Sequence, residues 1–282
     1  SVLHFVMLCG VITMAAATAE ALAHPDRVRI VGGDATADDI VRIEARGREA
    51  FIRSRHLGGA PLLEVYVIDV GQGDGLLIVT PEGHNLMIDG GNLRKVQNGG
   101  KNAADFVDWK FSKDYCRRAD RADPDKRIVK LDAMIATHND QDHFGGLLDL
   151  LDIETPENRS ELDCSHVRVD AIYHAGLSWW WKKGSGDKKN DRTLAAREGY
   201  FKKLIGDRAS CARAVAKLDD PDADTLSGSW GRFIRAATQA RRASGEDAPA
   251  LIERLSSTTH DWLPGFDDQR RHSAVAIRVL GP

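Results

Sequence analysis

The chain has 282 residues, of which 42% are hydrophobic and 29% charged, and its net charge is −3. These values describe a soluble chain with enough apolar residues for a sizeable core, organised as one large domain or a domain with extensions. They exclude a molecule that binds polyanions through its overall field.

The opening stretch VLHFVMLCGVITMAAATAEALAHP has no charge before Glu20 and ends in Ala21-Leu22-Ala23 ahead of His24. An apolar run followed by a small-x-small site predicts a signal-peptide-like segment over 1–23. The chain is then exported, periplasmic or extracellular, with no stable membrane association after cleavage. The uncharged residues 2–19 are also about long enough to cross a bilayer, so a membrane anchor is the alternative, and a buried helix is a third reading. No basic segment or initiator Met precedes the run, which reads as a chain lacking its first residues. Cys9 lies in this leader. Cys116, Cys164 and Cys211 form no C-x-x-C pair, so they read either as one disulfide plus a free thiol or as three unpaired thiols, and not as a zinc site.

Residues 24–63 form a mixed, polar N-terminal extension with the loop signal GGDATADD. From Glu64 the pattern sharpens. LEVYVIDV, LLIVT and LMIDGGN are apolar, β-branched runs separated by GQGDG and PEGHN, and they predict consecutive strands. IVKLDAMIAT (128–137) is a further buried strand, GGLLDLLDI is helical, and VRVDAIYHAG (167–176) is the next strand, so this region predicts a βαβ unit. Residues 177–265 read as a largely helical insertion, with helices over 191–218 and 229–244 joined by DDPDAD. SAVAIRVLGP closes the chain as a strand. Between Lys182 and Arg213 there are ten Lys/Arg and four Asp/Glu, which is either a solvated helical face or a patch for an anionic substrate.

The chemistry concentrates in THNDQDHFGG, where His138, Asp140, Asp142 and His143 fall within six residues at the end of a buried strand. Imidazole and carboxylate are the usual ligands of zinc-type ions. A pair at i and i+2 can grip one metal, and a second pair along the loop can face another. Gly145 and Gly146 would let the turn fold tightly and start the helix. The plainer reading is a polar loop or N-cap cluster. GQGDG is not a phosphate cradle, because a strand follows it where a dinucleotide fold needs a helix, and no Lys-Ser/Thr completes a P-loop.

The motif THNDQDHFGG resembles the metal-binding signature of the metallo-β-lactamase superfamily. VYVIDVGQGDGLLIVTPEGHNLMIDGG is similar to the opening hairpins of one branch, the nuclease-like domain of bacterial DNA-uptake (competence) channel proteins. The two matches cover roughly residues 64–152. The resemblance implies an α/β fold, a metallo-β-lactamase-like αββα sandwich spanning 64–282, of which this chain holds the first half plus the insertion at 177–265. It implies that His138 and Asp140 hold one metal and that Asp142 and His143 hold a second. Asp142 would be the catalytic residue, and Asp89 would buttress the ligand loop through hydrogen bonds. Asp69, Gln72 and Asp74 would lie beside the site, where Asp69 and Asp74 read equally as turn-forming carboxylates. The cofactor would be Zn, two per intact site, with Mn or another divalent metal as the substitute. The activity would be hydrolysis of a phosphodiester or other ester, from a small molecule or a nucleic acid, by metal-activated water.

The family's later motifs are missing. After His143 the histidines are His166, His174, His260 and His272, none in an H-H-G motif, and there is no T-G-D. His174, ending its strand, is the candidate for a further ligand, with a structural or surface histidine as the alternative. A dinuclear site lacking its bridging carboxylate would hold two cations with too little charge between them, so one metal is the most this chain is expected to bind. The sequence thus reads as a fragment of a hydrolase or as a non-catalytic, degenerate or truncated relative acting as a binding module. Trp179-Trp180-Trp181-Lys182-Lys183 reads either as a stacking surface for a nucleotide strand or as core packing.

Overall fold

The structure is a computed structural model that describes residues 28–31, 39–45, 48–58, 61–181, 190–192, 204–220, 222–244, 247–267 and 273–280. Residues 1–23, expected to form a signal-peptide-like segment, and most of the basic run at 182–213 lie outside the described residues. Among the described residues, no helix is long and apolar enough to cross a membrane.

The chain begins with an antiparallel meander, β1 (Arg29–Ile30), β2 (Ile40–Ala45) and β3 (Arg48–Arg53). It buries Val41, Ile43, Ala45 and Ile52 in a small core of its own. The extension read as irregular is therefore a sheet.

The central sheet starts with β4 (Glu64–Val67), β5 (Gly75–Val79) and β6 (Asn85–Gly90), paired antiparallel in sequence order. Helix α1 (Ala103–Trp109) follows and leads through a π-helical turn, Lys110–Tyr115, towards β7 (Ile128–Ala136). Then come α2 (Gln141–Leu151), α3 (Pro156–Glu161) and β8 (His166–His174). Strand β7 runs parallel to β6 and to β8. Parallel strands are covered on both faces, which explains why β7 and β8 are so apolar.

After β8 the chain makes a small sheet from β9 (Trp179–Trp181), β10 (Asn190–Arg192) and β11 (Thr225–Leu226), in the order β10-β9-β11. Helices α4 (Arg208–Val215) and α5 (Gly228–Gln239) accompany it, and β12 (Leu251–Arg254) returns to the central sheet parallel to β8. The region 177–265 is thus not largely helical among its described residues. It carries four short strands, one of which completes the main sheet. The closing stretch 273–280 makes no strand and contributes a single bridge, Trp262 with Arg278.

The result is a mixed α/β protein on a six-stranded mixed sheet, ordered β12-β8-β7-β6-β5-β4. The larger core packs Leu77, Met87, Leu131, Met134 and Ile172 against Phe144, Leu147 and Leu148 of α2 and Phe233 and Ile234 of α5. A smaller core, with Leu86, Ala133, Tyr173, Leu263 and Phe266, holds the segment after β12.

Two glycines let α2 come close to the sheet. A Cβ on Gly145 would sit 2.2 Å from the Leu93 nitrogen, and one on Gly146 would sit 2.2 Å from the Gly90 oxygen. The Gly146 N–H donates to the Gly91 carbonyl at 3.1 Å. Both lie inside α2, so they serve helix-to-loop contact and not the tight turn that the sequence suggested. Asp149, further along α2, accepts from the Arg94 backbone N–H at 2.7 Å and from the Asn102 side-chain amide at 2.8 Å, which fixes the helix to the loop before α1.

Gly146→Ala has no flexible neighbour to displace, only backbone, and overpacking of this kind costs about 1–3 kcal/mol. Urea unfolding should therefore give an unfolding free energy lower by that amount, seen as a lower midpoint, whereas an unchanged midpoint would mean that α2 does not sit this close to Gly90.

Candidate metal centre

The candidate site lies at the carboxyl ends of β6 and β7, the edge where open α/β sheets place their ligands. Asp89 organises it. Register along β5 and β6 runs from Leu76 opposite Ile88 to Gly75 opposite Gly90, so Asp89 is the extra residue of a bulge. Its φ is 52°, in the left-handed region that Asp enters more readily than most residues. Bulges beside functional sites re-aim side chains, and here the carboxylate points across to the loop after β7.

That carboxylate is 2% exposed and fully engaged. Oδ1 accepts the Thr137 backbone N–H at 2.8 Å, and Oδ2 accepts the Thr137 hydroxyl at 2.5 Å. Oδ2 also lies 2.9 Å from His143 Nδ1. The second contact settles a tautomer by hydrogen-bond accounting. A carboxylate oxygen accepts, so His143 Nδ1 is the donor of this contact, and in the neutral ring Nε2 then holds the lone pair. The same logic reaches His138. Thr137 spends its single hydroxyl proton on Asp89, so its oxygen accepts from His138 Nδ1, 3.1 Å away. In the neutral ring His138 Nε2 then holds the lone pair.

The two imidazoles stand together, with ring centroids 3.7 Å apart. A ligand atom from each of Asp89, His138 and His143 lies within 4.8 Å of the others. His138 Nε2 is 3.8 Å from Asp140 Oδ2, close to the ~3.3 Å edge of a tetrahedron built on zinc bonds of about 2.0–2.1 Å. With the Asp89 oxygens committed to Thr137 and His143, the donor types at hand are the two imidazoles and the Asp140 carboxylate, which suit a zinc-type ion. A second ion is less well served. Asp142 Oδ2 accepts a hydrogen bond from Gln72 Nε2 at 3.1 Å, and Asp142 is not part of the three-residue cluster.

Gln72 reaches Asp142 because the β4–β5 loop folds over the start of α2. Gly73 touches it so closely that a Cβ there would overlap the Asp142 carbonyl oxygen at 1.6 Å. Asp74, in the same loop, has Oδ2 3.8 Å from His143 Nδ1. Asp69 Oδ1 accepts the Gly71 N–H at 3.1 Å, which is the turn-forming role.

His174 lies on β8 opposite Ala136, the residue before Thr137. It is 1% exposed, its Nδ1 accepts the Gly176 N–H at 2.9 Å, and its ring lies against Trp230. It is not one of the three residues of the His/Asp cluster. Of the tryptophans, Trp180 is buried and Trp179 half-buried, with the Trp179 indole N–H donating to the Asn139 carbonyl at 3.1 Å. Cys116, Cys164 and Cys211 are all free. Burial pushes the Cys211 thiol up to about 12 and Cys164 higher still, so neither supplies a thiolate near neutrality.

The sequence pattern missed the role of Thr137, which carries a faint signal, a hydroxyl directly before the first histidine. Trp179 was singled out only as part of the tryptophan run, and nothing in the spacing marks its contact with Asn139. Comparisons of the chain with protein-family models, with curated proteins and with solved structures found no match.

The burial of His174, with a smaller contribution from Arg254, lowers its pKa from 6.5 to about 4. The unfolded chain therefore binds this proton more readily between those values. Stability is fully present above pH 6.5 and falls as pH drops towards 4, by about 3 kcal/mol. Urea midpoints measured from pH 7.5 to 4.5 should fall less steeply in His174→Gln than in the wild type, and parallel curves would refute the assignment.

Proposed function

We propose that the chain is a metal-dependent hydrolase of the metallo-β-lactamase superfamily, acting on a phosphodiester or another ester, of a small molecule or a nucleic acid. One observation carries this reading. A single buried carboxylate, Asp89, contacts His143 Nδ1 directly and His138 Nδ1 through Thr137, and a ligand atom from each of the three residues lies within 4.8 Å of the others. Carboxylate-backed histidines are the usual construction of zinc sites, because the backing fixes the tautomer and raises ligand basicity. A meander feeding parallel strands, with the ligand loop between β7 and α2, supports the first half of an αββα sandwich as the finer fold.

His138 and His143 would hold the ion, with Asp140 as the nearby carboxylate. A divalent ion held there supplies Lewis acidity, lowering the pKa of water and stabilising negative charge that develops on an acyl or phosphoryl oxygen. Asp142, at the first turn of α2, would be the residue that accepts a proton or orients water once Gln72 releases it. Gln72 can then donate its amide N–H to an incoming polar group. Export to the periplasm or exterior, with the leader removed, belongs to the same proposal.

A second reading has its own support. The Gln72 bond to Asp142 and the three-residue cluster suit a binding module that holds one ion without turnover. Zinc analysis after dialysis should give close to one ion per chain, lowered by about 10–100-fold in affinity in Asp89→Ala. With zinc or manganese present, a chromogenic phosphodiester should be hydrolysed by the wild type and not by Asp142→Ala. Zinc bound without turnover would select the binding module, and activity surviving in Asp142→Ala would eliminate the mechanism.

A further inference from the structure

We infer that the segment following β8 is a clamp on the metal-ligand loop, and that Trp179 is its positioning residue. The inference rests on the reading that His138 and His143 hold a metal, and it adds what fixes the loop between them.

Residues 137–140 join β7 to α2 without strand partners. Asp89 secures one side of this loop through Thr137. The other side is secured from a region some forty residues further along the chain. The Trp179 indole N–H donates to the Asn139 carbonyl at 3.1 Å. Asn139 is buried and stands between His138 and Asp140, so holding its carbonyl fixes the peptide that leads into Asp140. A buried carbonyl that loses its donor seeks another, and the loop would turn to find one.

Trp179 is itself held firmly. Its carbonyl accepts the Ser227 N–H at 2.9 Å, its neighbour Trp180 is buried, and β9 is paired on both sides. Ser178 accepts the Trp230 indole N–H at 3.0 Å, which ties β9 to α5. Helix α5 makes the second grip. Ser229 Oγ donates to Gln141 Oε1 at 2.7 Å, and Gln141 Nε2 donates to Asn92 Oδ1 at 2.7 Å. Trp230 packs edge-on against Phe144, with centroids 5.1 Å apart. Contacts at Asn139, Gln141 and Phe144 thus bracket Asp140, Asp142 and His143 from one body of structure. This arrangement also explains the tryptophan run differently from a nucleotide platform, because Trp180 is in the core and the N–H of Trp179 is committed to Asn139.

The test is Trp179→Phe, which keeps a ring and removes the donor, studied by zinc titration and by the visible spectrum of the cobalt(II)-substituted protein. Zinc affinity should fall about tenfold, within the range for groups that orient metal ligands. The cobalt bands should shift, which a purely structural role in a still-folded protein would not cause. Ser229→Ala should weaken zinc binding by a smaller factor, and it carries the test if Trp179→Phe does not fold. Wild-type zinc affinity retained in the folded variant, with an unchanged cobalt spectrum, overturns the clamp while leaving the metal site intact. A wild-type protein that binds no zinc overturns the metal site itself and the clamp with it.

Discussion

The site depends on one buried carboxylate. Asp89 leaves the β6 ladder at a bulge and accepts from Thr137 N–H, Thr137 Oγ1–H and His143 Nδ1–H. A buried carboxylate without partners is strongly disfavoured, so these donors offset the cost of burying Asp89. In return its acceptor-only character dictates where the protons sit on Thr137, His143 and, through Thr137, His138. The backbone strain at φ 52° has a rationale in this arrangement, since a regular strand at this position would turn the carboxylate away from the ligand loop.

Packing secures the same geometry from beneath. Gly145 and Gly146 bring α2 against the loop that follows β6, Asp149 fixes the helix further along, and Phe144 anchors it beside Trp230. The β4–β5 loop then closes over the top through Gly73 and Gln72. Elements distant in sequence meet at one sheet edge, as parallel strands with crossover helices require.

The strands of the central sheet from β4 to β8 were legible because each is an apolar run bounded by Gly, Pro or Asn. His138, His143 and Asp89 were legible because they fall in short motifs with ligand-type chemistry. The meander β1–β3 was missed, since Arg and Glu alternate with its few apolar residues and blur the pattern. The strands after β8 are only two to four residues long, too short for periodicity to register. The alternation over 273–280 resembles a strand, but only a single bridge forms there, so pattern alone did not make a ladder. Trp179 illustrates the limit most plainly. Its role comes from a contact across forty residues, which no local spacing encodes.

The protonation pattern imposed by Asp89 can be observed directly. Long-range ¹H–¹⁵N correlation spectra of the metal-free protein at neutral pH report which nitrogen of each imidazole carries the proton. His138 and His143 should both appear as the Nδ1–H tautomer in the wild type, and both should lose that preference in Asp89→Ala. Nε2–H tautomers in the wild type would contradict the proton accounting at Asp89, and with it the view that this carboxylate prepares two histidines for a cation.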